Sequence, residues 1–240
     1  MNEIIIYEFE KVRKDNLKKL ILYLLIYFFI IILIISFSFN YIYSIDPIFI
    51  LFIVVILLIL IPSLIISFIE KLYSFQIKNY LFKITNKIDE FHEFTINKYL
   101  PHSSIFRDVS VFLYPSLTNS NEEDYLEIEY KNQKIELAEC RIEKIESYYS
   151  GGKRRTRTIT LFKGILIKIP KQLTKQNFVT NESYFIFSIP QNSNHIYIKI
   201  NSKSEFLEFN IFRKISEKDI KEKIEEISKV LSIIREIVMT

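Results

Sequence analysis

The chain has 240 residues, room for one domain and a little more, and it is 49% hydrophobic and 15% aromatic. Three Gly are too few for most phosphate-cradling loops, and a single Cys excludes both a disulfide framework and a Cys-based zinc site. Three His, at 92, 102 and 195, leave little material for a histidine metal centre, and a net charge of +4 is too slight for a nucleic-acid-binding domain.

Residues 1–19 form a basic segment, with Lys11, Arg13, Lys14, Lys18 and Lys19. From Leu20 to Phe39 the chain then runs twenty residues without a charge, and from Ile48 to Ile69 another twenty-two. Each run matches the ~20 residues that cross a hydrocarbon core ~30 Å thick. Residues 20–69 are therefore expected to be a transmembrane hairpin with spans 20–39 and 48–69. The first run is too long for a signal peptide and lacks the small residues of a cleavage site. Lys and Arg flank both outer ends, and the connecting segment Asn40–Pro47 has none, so both termini are expected in the cytoplasm of a multi-pass protein of the cell membrane. Tyr41 and Tyr43 suit the outer interface. Pro62 is expected to kink the second span.

After the second span, Ile77, Leu81, Ile84, Ile88, Phe91 and Thr95 repeat at spacings of four and three. The pattern predicts an amphipathic linker helix over 70–100, ended by Pro101, either standing upright as a stalk or folding back. Residues 101–240 then read as a cytoplasmic α+β domain, mostly antiparallel, flanked by two amphipathic helices. Its strands are expected at Tyr125–Tyr130, Lys134–Cys140, Thr156–Lys163, Ile165–Ile169, Tyr184–Ile189, Ile196–Ile200 and Phe206–Phe212. Segments 115–124 and 190–195 read as loops. A C-terminal helix is expected over 216–238, opened by a capping-box-like Ser216 and Asp219, with Ile220, Ile224, Ile227, Leu231, Ile234 and Val238 in one stripe. That stripe serves either core packing or pairing across a homo-oligomer.

The run Tyr148-Tyr149-Ser150-Gly151-Gly152-Lys153-Arg154-Arg155-Thr156-Arg157 places four cations in five residues at a Gly-Gly turn. Arg offers bidentate donors to phosphate, so Lys153, Arg154, Arg155 and Arg157, with Lys163, are candidates for an anion, lipid headgroup or nucleotide. The competing expectation is a solvated hairpin tip whose charges deter edge aggregation. Glu122-Glu123-Asp124 is expected to be a solvated loop, His92 and His102 to flank the end of the linker helix, and Cys140 to be a small core residue. No catalytic residue, cofactor site or metal site is indicated.

The basic turn Arg154-Arg155-Thr156 leading into Thr160-Leu161-Phe162-Lys163-Gly164-Ile165-Leu166-Ile167 is similar to a segment of an uncharacterised bacterial membrane-protein family, a domain of unknown function numbered 3137. The order of parts resembles that family as well. The resemblance implies two adjacent spans followed by a cytoplasmic β-rich domain, and it implies no activity. Gly164 within an apolar strand points to a bulge or a close backbone approach.

Together these features point to an integral membrane protein presenting a non-enzymatic cytoplasmic binding or scaffold domain. Its partners would be the lipid bilayer, a protein or its own copies, and an anionic headgroup or nucleotide; nucleic acid is disfavoured. The alternative is a ligand-controlled effector that oligomerises and perturbs the bilayer.

Overall fold

The computed structural model describes residues 3–38, 56–88, 91–174, 184–189, 194–202 and 206–238. The chain divides into two compact units, Met1–Tyr80 with Phe209–Ile220, and Leu81–Glu208 with Lys221–Thr240.

The first unit contains α1 (Glu3–Ser38), a π-helical turn Ile56–Leu60, and most of α2 (Ile61–Thr85). The basic segment 1–19 is thus helical from Glu3 and continuous with the first apolar run, with no Gly or Pro to interrupt it. Both helices are long and apolar enough to cross a membrane. Pro62 lies inside a continuous helix, Ile56–Thr85, directly after the π-helical turn, an irregularity of the kind that accompanies a Pro whose missing N–H interrupts the ladder. Residues 39–55, with Tyr41, Tyr43 and the start of the second run, lie outside the described residues.

Within this unit the charged end of α1 is packed. Phe9, Asn16 and Leu20 are buried with Ile69, Tyr73 and Ile77 of α2, the last three four residues apart on one face. Phe9 meets Tyr80 edge-on at 5.0 Å and lies 6.1 Å from Phe209. Glu10 accepts the Ile215 N–H at 2.7 Å, Arg13 grips both Glu10 oxygens at 3.0 Å, and Asn16 donates to Gln76 at 2.8 Å. Further along, Leu25, Phe29, Ile32, Leu64 and Phe68 are all exposed.

The second unit is built on a six-stranded sheet: β1 (Phe94–His102), β2 (Asn119–Tyr130), β3 (Gln133–Ser150), β4 (Lys153–Pro170), β5 (Phe185–Phe187) and β6 (His195–Asn201). Its order is β1-β2-β3-β4-β6-β5, and every pairing is antiparallel. The fold class is accordingly α+β. A short helix α3 (Arg107–Leu113) contributes Val109 to a core with Phe106, Tyr125, Ala138, Cys140, Ile142, Phe162 and Leu166. The alternate residues Leu137, Ile165 and Ile167 are equally buried, so the central strands bury both faces.

α4 (Glu217–Val238) opens with the expected reciprocal cap: the Ser216 N–H donates to Asp219 at 2.8 Å and the Asp219 N–H to Ser216 Oγ at 3.2 Å. Its stripe Ile227, Val230, Leu231, Ile234 and Ile237 is buried.

Several sequence expectations are corrected. The helix expected over 70–100 ends at Thr85, and 94–102 is strand β1. Asn86 explains the break: its side chain donates to the Ile96 carbonyl at 3.0 Å and accepts the Ile96 N–H at 2.9 Å, pairing with β1 instead of extending the helix. Phe94-Thr95-Ile96 then favours an extended chain, and Pro101 sits in β1, an edge strand that tolerates it. Segment 119–124, expected as loop, belongs to β2 because Asn119–Glu123 pair with Glu139–Glu143. Phe206–Phe212, expected as a strand, is turn and coil, with Leu207 at φ 57°. The two strands expected at 156–163 and 165–169 are one, β4; of the loop expected at 190–195, residues 190–193 lie outside the described residues and His195 opens β6.

Gly164 is a close backbone approach. A Cβ there would stand 2.0 Å from the Ile200 carbonyl oxygen and 2.9 Å from the Phe162 ring. The carbonyl belongs to the neighbouring strand β6, so it cannot swing aside without breaking the ladder. We expect Gly164→Ala to destabilise the sheet unit by about 1–3 kcal/mol or more, read as a lower melting temperature of the purified protein.

Candidate functional site

The basic run lies on one hairpin. Gly151 and Gly152, at φ 59° and 74°, make a two-residue turn that pairs Ser150 with Lys153. Each strand of this hairpin has 18 residues, but their neighbours cover only part of that length. The β2 ladder stops at Asn119 opposite Glu143, and the β6 ladder stops at Asn201 opposite Gly164. Thr118 Oγ1 closes the first edge by accepting the Ile145 N–H at 2.9 Å. Beyond these points the chain continues as a two-stranded arm with seven cross-strand pairs, from Lys144–Ile159 to Ser150–Lys153. At ~3.3 Å per residue the arm extends about 23 Å.

A hairpin standing outside its sheet is marginal by itself, so the contacts across this one matter. Arg157 reaches Glu146 at 2.9 Å and lies over the Tyr148 ring at 5.9 Å. Lys144 bonds the other Glu146 oxygen at 2.8 Å, and Arg154 donates to Ser147 at 3.1 Å. Hydrogen bonds from Lys144 and Arg157 hold the Glu146 carboxyl below its ordinary range. Thr156, Thr158 and Ile159 supply β-branched stiffness.

Cross-strand partners share a face, which sorts the candidates. Lys153, Arg155 and Arg157 fall on one face with Tyr148, Glu146 and Lys144. Arg154 falls on the other, opposite Tyr149. Lys163 is not with them. The pairing shifts between Ile142–Phe162 and Glu143–Thr160, leaving Leu161 as an extra residue, a bulge that reverses the alternation. Lys163 consequently faces Arg141 and lines a recess of about 80 Å³ with Asn121, Glu123, Glu139 and Arg141. The structure brings three of the five candidates to one face and separates Arg154 and Lys163 from it.

The acidic run 122–124, read as a solvated loop, is instead a structural seam. Glu122 and Asp124 are buried and Glu123 is exposed, because β2 starts at Asn119 and carries all three. Glu122 accepts the Phe106 N–H at 3.1 Å and so anchors the start of α3; burial pushes its carboxyl up. Asp124, at φ 50° in a β2 bulge, accepts the Tyr99 hydroxyl at 2.8 Å. Glu136 binds Tyr125 at 2.9 Å, Lys168 at 2.8 Å and Lys134 at 3.0 Å. His92 and His102 do not flank a helix end: His92 precedes β1 and His102 closes it. Cys140 is buried in the core, and burial drives its thiol well up. Among the described residues no group of three or more His, Cys, Asp or Glu is placed to hold a metal.

Glu139 was not singled out by sequence, since strand alternation alone does not reveal a carboxyl turned inward. It accepts the Phe206 N–H at 2.8 Å, yet burial, with Asp124 and Glu123 nearby, pushes it up to about 7 against a partial offset from Lys163. Models of known families, characterised proteins and solved structures yield no match to this chain.

A carboxyl whose folded pKa exceeds its unfolded value stabilises the fold fully below the unfolded value of 4.5 and loses that contribution as pH rises through about 7. Glu139→Gln is expected to flatten the pH dependence of melting between about pH 5 and pH 8 and to gain at most ~3 kcal/mol at the upper end. Thermal melts of both proteins across that range provide the check.

Proposed function

We propose that the protein is a two-span membrane protein whose sheet unit is a non-enzymatic binding or scaffold module on the cytoplasmic side. The observation that carries this reading is the exposure of the apolar helices. Only 17% of the apolar window in Ile5–Leu33 and 11% of that in Ile56–Thr85 is buried, whereas the core helix of a soluble protein is mostly covered. Hydrocarbon supplies the missing cover. Basic residues in α1 ahead of its apolar run and in α2 after its apolar part, with none from Asn40 to Pro47, favour both termini inside.

The module reading is supported by how the buried carboxylates are used. Glu122, Asp124, Glu136 and Glu139 each bind a donor of the surrounding fold, two of them backbone N–H groups. The second reading, an effector that oligomerises and perturbs the bilayer, has weaker support. The α4 stripe that would pair with another copy is already buried within this chain.

Topology is testable with cysteines, because Cys140 is buried and silent to labelling. In intact cells, a Tyr43→Cys variant is expected to react with a membrane-impermeant maleimide, and a Tyr149→Cys variant to react only after permeabilisation. Release of the protein from membranes by alkaline carbonate would overturn the anchored reading, and the opposite labelling pattern would invert the topology.

A further inference from the structure

We propose that the arm docks through its Lys153–Arg155–Arg157 face onto the phosphates of an anionic lipid surface, a partner assignment that rests on the membrane-anchored reading above. The geometry is a row. On one strand, residues two apart point the same way at ~6.6 Å intervals, so these three cations form a line along the arm, with Lys144 beside its base. The only acid on that face is Glu146, and it is engaged by Lys144 and Arg157. Lys153 and Arg155 carry no side-chain hydrogen bond or ion pair among the described residues, which leaves two full positive charges at the tip.

Shape decides among polyanions. A two-stranded ribbon has no walls, and a free nucleotide is held in a concave site that encloses most of it. A flat array of phosphates needs no enclosure and meets a flat row of cations at several points at once. Tyr148 lies between the cations on the same face and is exposed, whereas Tyr149 belongs to the other face. A tyrosine placed as Tyr148 is matches the headgroup level, where the ring is half-buried and the hydroxyl stays wet. Anchoring the same chain in a bilayer would hold the arm at high effective concentration near lipid, so that modest attraction per cation suffices. A net charge of only +4 over the whole chain is slight for a nucleic-acid-binding protein.

The test uses the full-length protein in nanodiscs of neutral phosphatidylcholine, mixed with sedimentable vesicles. Recovery of protein in the nanodisc fraction reports on the anchoring by itself, and failure there would sink the membrane reading without touching the arm. The expected result is co-sedimentation with vesicles containing one third phosphatidylglycerol, none with pure phosphatidylcholine, and loss at high salt. Lys153→Gln with Arg155→Gln should weaken binding roughly tenfold or more. The charge-conserving pair Lys153→Arg with Arg155→Lys should retain it, as should Lys163→Gln on the opposite face. Equal binding to neutral vesicles, or binding indifferent to the Gln pair, would overturn the proposal. So would displacement from vesicles by inorganic pyrophosphate, which would make a small phosphate the ligand, or by a single-stranded oligonucleotide at equal phosphate concentration.

Discussion

Apolar side chains that nothing in the described chain covers set the terms for this molecule. Along α1 beyond Leu20 and along α2 before Ile69, most large side chains, such as Leu25, Phe29 and Leu64, are exposed. A helix apolar on all sides is stable only where its surroundings are apolar too. Each such residue favours a hydrocarbon setting by ~0.3–0.6 kcal/mol near the middle of a span, so their sum outweighs any single contact elsewhere. The polar end of α1 follows from the same constraint. Once the helix passes from apolar to charged residues, Glu10 and Arg13 are bound to each other and to the backbone of 211–215, and Asn16 is bound to Gln76.

The sheet unit solves a different problem. Its central strands bury both faces, so its polar residues inside must be paired or neutral. Glu122, Asp124 and Glu136 are paired with donors, and Glu139 is driven toward its neutral form. These groups hold α3, β1 and residue 206 against the sheet and are consumed by doing so. The far half of its longest hairpin, where both flanking ladders stop, is largely exposed, and cations gather on one face of it.

Much of this was legible in the sequence. The two apolar runs, the antiparallel α+β class, the Ser216–Asp219 cap, the core place of Cys140 and the tight approach at Gly164 are all set by local chemistry. The errors share a cause. The stripe from Ile77 to Thr95 kept its helical spacing through residues that the backbone uses as turn and strand, and only the Asn86 side chain, bound to Ile96 ten residues on, ends the helix. The acidic run 122–124 looked solvated because nothing local says that Phe106 will bring its N–H to Glu122. Lys163 groups in sequence with the cations of the basic turn, with no face assigned, and one extra residue at Leu161 turns it to the face opposite Arg157. Each of these depends on pairing across the chain rather than on its neighbours in sequence.

The central claim, that α1 and α2 lie in hydrocarbon, has a direct probe because the sequence contains no Trp. A Phe29→Trp variant carries one reporter, reconstituted into bilayers whose lipid tails are brominated at different depths. Blue-shifted emission, strong quenching by the deeply brominated lipid and protection from aqueous iodide are the predicted result. Emission typical of water, quenched by iodide and indifferent to brominated lipid, would contradict it.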